Sequence, residues 1–238
     1  MSGVWGWLTD PAHWSGEDGI PQRLLEHLEI SAVALLIALV VAVPLALLLG
    51  HLGRGGGILI PIGNIGRAIP TYAVIVTLAL TDQIGISPWA VILALAVFAV
   101  PPLLVNTYVA VRGVDSDVKD AARGMGMTGG QVLRRTEIPL AFPLAFAGFR
   151  TTTVQVVATA TFAGLVGAGT LGKYIYEGFS IQDYDELYAG VVLVALLCIV
   201  LEVILAAVQR VVFRRTGQGT TRQQLMAEQM DEAMVVSV

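Results

Sequence analysis

Arg112–Leu140 reads RGVDSDVKDAARGMGMTGGQVLRRTEIPL and is the longest polar interruption in an otherwise apolar chain. From Asp115 onward, Val118, Ala121, Ala122 and Met125 recur at i, i+3, i+4 and i+7, which places them on one apolar face of a helix. Lys119 and Arg123, an i, i+4 pair, fall on another face. Gly124 and Gly126 end that helix, and Gly129-Gly130 break the chain again. A second helical turn, Gln131–Glu137, leads to Pro139, which suits the first turn of a following helix. The stretch is predicted as helix, turn, helix. Its small residues lie on an exposed apolar face that can dock closely on another protein.

The rest of the composition says what surrounds this stretch. Of 238 residues 55% are hydrophobic and 13% charged, and the mean hydropathy is +0.75. A soluble domain carries about 25% charged residues. With several apolar runs near the roughly 20 residues a spanning helix needs, the class is all-α, a polytopic membrane protein. A membrane β-barrel would alternate in segments of about ten residues, and these runs are continuous. Cys198 is the single cysteine and lies in an apolar run, so neither a disulfide framework nor a metal or cofactor site is expected. Nucleic acid is not an expected partner. The first residues lack a basic segment followed by an apolar one, so no signal peptide is expected.

In chain order, residues 1–29 form an N-terminal segment at the membrane interface, with Trp5, Trp7 and Trp14 among polar residues. Pro21–Glu29 reads as a short amphipathic helix. The membrane domain is expected over 28–213, with five spans at about 28–52, 58–80, 88–108, 140–162 and 187–213. Pro44 is an expected kink in the first span, and Pro61 and Pro70 make the second irregular. Gly164–Tyr184 reads as a Gly-rich, then polar, connector, and 214–238 as a polar tail. Orientation follows from Lys and Arg. With the 112–139 loop inside, ten basic residues lie inside against two outside, Arg23 and Lys173. The N-terminus is then outside and the C-terminus inside.

The central loop resembles the signature of permease subunits of bacterial ABC importers: Glu-Ala-Ala, three residues, Gly, nine residues, Ile-x-Leu-Pro. Here Asp120-Ala121-Ala122 stands first, Gly126 keeps its spacing, and Thr136-Glu137-Ile138-Pro139 closes it. Asp for Glu, Thr136 for Ile and Ile138 for Leu are the departures. The placement between the third and fourth of five spans is similar to the small five-helix permeases. Further stretches resemble the osmoprotectant branch, for glycine betaine, choline or carnitine: Arg67–Ala73, Pro101–Thr107, Ala121–Met127 and Gly167–Gly172. Methionine-type permeases share the architecture.

The resemblance implies a mechanism and partners. The helix around Asp120 would enter a groove on a separate cytosolic ATP-binding subunit, with Ala121 and Ala122 allowing close approach, Asp120 meeting a basic residue and Gly126 permitting the turn. Closure of the ATPase pair would drive the spans from inward- to outward-open. A second permease subunit, the same or different, would complete the path, and an external substrate-binding protein would select the solute. The chain itself would be no enzyme and would reside in the bacterial cell membrane, in contact with lipid.

Gly167-Ala-Gly-Thr-Leu-Gly172-Lys173-Tyr174 nearly spells a phosphate-binding loop and contains Gly-x-Gly-x-x-Gly. Tyr174 stands where a Ser or Thr would hold magnesium, and no strand–loop–helix context is expected. The glycines read instead as points of close helix packing. His13, His27 and His51 are scattered near membrane edges and read as interfacial polar residues. Arg67, Arg150 and Glu202 fall within spans at similar depth, about 12 to 15 Å from the cytoplasmic ends. A charge there is costly unless paired. Glu202 is expected to pair with Arg150 or Arg67, the alternative being arginines that snorkel to the interface. Candidates for the translocation path are Asn64, Thr71, Thr152 and Gln155, together with Thr151, Thr153, Thr159 and Thr161, although Thr also serves as interhelical glue. Two rival readings stay open: a stand-alone secondary transporter, which needs coupling-ion carboxylates in its spans, and a membrane scaffold.

Overall fold

The computed structural model describes residues 3–215, apart from the side chains of Ile60, Arg67, Arg214 and Arg215. The elements described are helical: α1 Gly3–Thr9, α2 Ile20–Leu52, α3 Gly56–Ala68, α4 Thr71–Ala79, α5 Pro88–Arg112, α6 Ser116–Gly124, α7 Gly129–Val132, α8 Ile138–Thr159, α9 Gly172–Ile181 and α10 Tyr184–Arg215. A π turn, Leu133–Glu137, joins α7 to α8, and a 3-10 segment, Ala160–Val166, follows α8. Among the described residues four helical segments are long and apolar enough to cross a membrane, and α3 with α4 makes a fifth if the bent pair is one span. The tail from 216 onward lies outside the described residues.

The packing of α2 on α5 is set by two ridges with four-residue spacing. On α2, Ala34, Ala38, Ala42 and Ala46 have no exposure, and Gly50 continues the row. On α5, Val91, Leu95, Ala99, Leu103, Thr107 and Val111 form the facing row, all buried. Small residues on one ridge let the larger residues of the other sit close, the arrangement that holds membrane helices together where no hydrophobic drive exists between them. Ile75 of α4, Val156 of α8 and Ala160 and Ala163 of the 3-10 segment close this core. Helix α8 crosses α5 where Gly148 meets Asn106: a Cβ at Gly148 would stand 2.4 Å from the Asn106 Cβ. Helix α10 packs on α8 and α9 and leaves most of its surface free.

Several boundaries differ from expectation. The predicted amphipathic helix at 21–29 and the first span are one helix, α2, which continues through Pro44. The second span is divided: Gly56–Gly66 and Thr71–Ala79 bend by 76°. Pro61 is accommodated inside α3, whereas Ile69 takes an extended conformation ahead of Pro70 and stops the helix, as the steric demand of a following proline requires. Residues 172–181 of the expected connector form a helix, α9, capped by Gln182 at φ 59°.

Candidate functional site

The segment between α5 and α8 is built as two short helices. Asp115 caps α6 by accepting from the Asp117 amide at 2.8 Å. At the other end Gly126 has φ +85°, a left-handed conformation that glycine adopts without strain. Its amide reaches the Arg123 carbonyl at 2.9 Å, and the Met127 amide reaches the Ala122 carbonyl at 3.2 Å. These two bonds satisfy the last carbonyls of α6 and turn the chain sharply. The expected break at Gly129-Gly130 is corrected: both are helical, because Thr128 and Gln131 form a reciprocal cap ahead of them, the Thr128 amide donating to Gln131 Oε1 at 2.8 Å. The break lies at Met125–Thr128.

The apolar face of α6 is divided between interior and surface. Ala122 is buried against the body, while Ala121, Val118 and Met125 are exposed, Met125 at 73%. Asp120 and Arg123, both exposed, form an ion pair of 3.0 Å within the helix. Such a pair is held weakly in water, so Asp120 stays available to another cation. Arg134 and Arg135 are exposed beside Thr128 and Gln131 on the rim of an open polar depression. Ile138 lines an apolar groove of about 320 Å³ between α2, α5 and α8, and Pro139 is exposed in the first turn of α8.

Under this segment lies a contact that no sequence pattern announces. His51, in the last turn of α2, places Nδ1 2.6 Å from Glu137 Oε2. Glu137 is 1% exposed, and its other oxygen has no hydrogen-bond partner among the described residues. The π turn that ends at Glu137 adds a residue to the helical repeat and aims this carboxylate at α2.

Deeper in the membrane domain, Arg150 Nε stands 3.1 Å from Glu202 Oε1, and Arg150 Nη1 donates to Gln209 Oε1 at 2.6 Å. Arg150 of α8 is thus tied to α10 at two points one helical turn or more apart. The side chain of Arg67 lies outside the described residues. Among the path candidates, Asn64 and Gln155 are exposed and Thr71 is half-buried. Thr152 is buried, and its hydroxyl donates to the Gly148 carbonyl at 2.9 Å. Thr151, Thr153 and Thr159 donate likewise to the carbonyl four residues back and Thr161 to the one three back.

Of the histidines, His27 departs from the interfacial expectation. His27 has no exposure, and its Nε2 lies 2.8 Å from the Val157 carbonyl. His51 is paired as above, and His13 stacks on Trp7 with its ring centroid 3.9 Å away. Near the start of α2 is an ionic cluster. Asp18 accepts from Arg23 and from Lys173, the latter at 2.5 Å, and Arg23 also holds Glu26. The Lys173 hydrogen bond, then that of Arg23, holds the Asp18 carboxyl below its ordinary range. Tyr174 donates to the Asp18 carbonyl at 2.6 Å, and burial pushes its phenol up to about 12. The near-miss phosphate loop is therefore structural. Its lysine is committed to Asp18, and a Cβ at Gly172 would stand 1.9 Å from the Thr161 carbonyl oxygen.

The sequence model of the family described as "Binding-protein-dependent transport system inner membrane component" matches residues 32–218. The chain is 36% identical over 194 residues to the glycine betaine/carnitine/choline transport system permease protein OpuCB of Bacillus subtilis, covering 82% of this chain and 88% of that one. It is also 36% identical over 188 residues to the choline transport system permease protein OpuBB of the same organism, covering 79% and 86%. In fold it is similar to a chain of the inward-facing MetNI methionine ABC transporter, with a TM-score of 0.72 and 24% identity over 86% of this chain and 99% of that one.

Proposed function

We propose, from the premise that this chain belongs to the family of binding-protein-dependent transport system inner membrane components, that it is the multi-pass permease subunit of an ATP-binding-cassette importer in the bacterial cell membrane and passes a compatible solute such as glycine betaine, choline or carnitine. The observation that carries the solute class is the 36% identity, over 82% of the chain, to a permease named for those three compounds.

ATP hydrolysis belongs in this reading to a separate cytosolic subunit. The exposed Val118, Ala121 and Met125, backed by the buried Ala122, form the face that enters that subunit, and Asp120 meets a cation there. The weight of basic residues at 112–135 supports a cytoplasmic position for the segment, with the N-terminus outside. Five spans enclose little space, so a second permease subunit completes the path, and an external binding protein delivers the solute. Asn64, Gln155 and Thr71 are the path residues this reading retains. In this reading the chain performs no chemistry of its own. The chain changes which side of the membrane its path opens to, ATP bound to the partner subunit favouring one state and its hydrolysis making the cycle directional.

The test is reconstitution. The chain is purified with its ATPase and binding protein, placed in liposomes, and assayed for ATP-dependent uptake of labelled glycine betaine, choline, carnitine and methionine. Uptake of the quaternary ammonium solutes alone is the expected result. Uptake of methionine instead would move the chain to the amino-acid branch. Uptake by the chain without ATPase or ATP would overturn the reading.

A further inference from the structure

The coupling segment is joined to the spans by chain continuity at both ends, to α5 through residues 113–115 and to α8 through the π turn. A further link is the contact of Glu137 with His51, which reaches across the fold to α2. His51 sits where α2 is firmly bound to α5: one residue before it, a Cβ at Gly50 would stand 2.9 Å from the Val111 side chain. On its other side, a Cβ at Gly129 would stand 3.4 Å from His51 Nε2. The imidazole is therefore seated between the first residue of α7 and the last residue of the π turn. A carboxylate with 1% exposure and a single partner is costly to keep. A carboxylate so placed resists parting from the imidazole, because separation would leave it wholly unpaired.

We propose that His51 and Glu137 are a positioning pair that transmits displacement of the α6–α7 segment to α2, so that movement received by the coupling helices reaches α2 directly as well as through α5 and α8. This rests on the reading of the segment as the ATPase-facing element. Neither residue touches solute or nucleotide. Glu137 directs the force, the π turn sets its aim, and the Ala34–Gly50 ridge carries it along α2 into the core.

The experiment uses the complete transporter in liposomes. His51→Gln, Glu137→Gln and the double variant His51→Leu with Glu137→Met are compared with the unaltered chain. Three quantities are read: ATPase retained on purification, ATP hydrolysed, and solute taken up per ATP. The double variant guards against simple misfolding, because replacing both partners of a buried polar pair by apolar groups can be nearly neutral for stability. The expected result is normal retention of ATPase and normal basal hydrolysis, with uptake per ATP lowered about tenfold, a typical size for the loss of coupling between sites. Unchanged uptake per ATP in the double variant would overturn the proposal. So would loss of the folded chain in the single and double variants alike, which would make the pair purely structural. If the unaltered chain retains no ATPase, the parent reading fails, and that outcome is distinct from the other two.

Discussion

His27 Nε2 donates to the backbone carbonyl of Val157 at 2.8 Å, with the ring fully buried between α2 and the end of α8. A carbonyl only accepts, so Nε2 carries the proton and the imidazole acts as a clasp between two spans. Replacing His27 by Leu leaves the Val157 carbonyl without this donor, and replacing it by Ala also opens a cavity. Each variant should lose about 1–3 kcal/mol from the unmet carbonyl, and the alanine more. Thermal unfolding in detergent measures this. A His27→Leu chain that melts with the unaltered one would show that the clasp contributes nothing.

Close backbone approach makes a second prediction. At Gly172 an added methyl meets the Thr161 carbonyl oxygen at 1.9 Å, and backbone cannot move aside as a flexible side chain can. At Gly148 the obstacle is the Asn106 Cβ at 2.4 Å. Gly172→Ala and Gly148→Ala should each cost at least about 1–3 kcal/mol by overpacking, while Gly130→Ala, with open space around it, should cost little. Yields of folded chain in detergent rank the three.

Much of this architecture is legible in sequence. The apolar runs give the spans, and Asp115, Gly126 and Pro139 punctuate the segment between α5 and α8 because caps, left-handed turns and helix starts each demand particular residues. The break at Pro70 follows from the same logic. What periodicity conceals is partner choice. Helix α2 is apolar on every side, so its Ala34–Gly50 ridge shows in residue size and not in polarity. His27, His51 and Glu137 are hidden for another reason. Each is polar and close to a membrane edge, where exposure is the ordinary expectation, and each finds a partner 86 or more positions away that no local rule names. Thr152 shows the converse: a polar residue in a span reads as path lining, yet its own helix satisfies it.

Arg150 offers a graded test. It has two partners on α10, Glu202 and Gln209, and the ion pair is partly exposed. Glu202→Gln removes one charge and leaves the Gln209 bond, so it should cost less than the loss of both contacts. Arg150→Gln severs both and strands Glu202, and should cost more. Melting temperatures of the two variants settle the order, and the reverse order would show that Arg150 is not held by α10.

The ionic cluster predicts a pH dependence of definite sign. The folded-state pKa of Asp18 lies below its ordinary 3.8, chiefly through the Lys173 hydrogen bond, then Arg23. Its contribution is present above the ordinary value and is lost as pH falls through the folded one. Asp18→Asn should therefore lower the melting temperature at neutral pH, with the difference fading below pH 3.8. Tyr174 has the opposite sign: raised from 10.0 to about 12 by burial, its phenol favours the fold below pH 10.0, and that contribution is lost as pH rises through about 12.

Gly126 separates backbone conformation from contact. Its φ of +85° is one L-residues rarely adopt, yet a Cβ there would meet nothing within 4 Å. Substitution thus strains the turn without a clash, and the cost should follow the residue's tolerance of the left-handed region: least for Gly126→Asn, about 1–2 kcal/mol for Gly126→Ala, and more for Gly126→Val. The paired amides of Gly126 and Met127 hold α6 at a fixed angle to α7. If that angle presents the Ala121 face to the ATPase, retention of the ATPase on purification should fall in the same order, Asn before Ala before Val, while the spans stay folded by circular dichroism. Retention that is equal across the three variants would mean the turn's geometry is not what the partner reads.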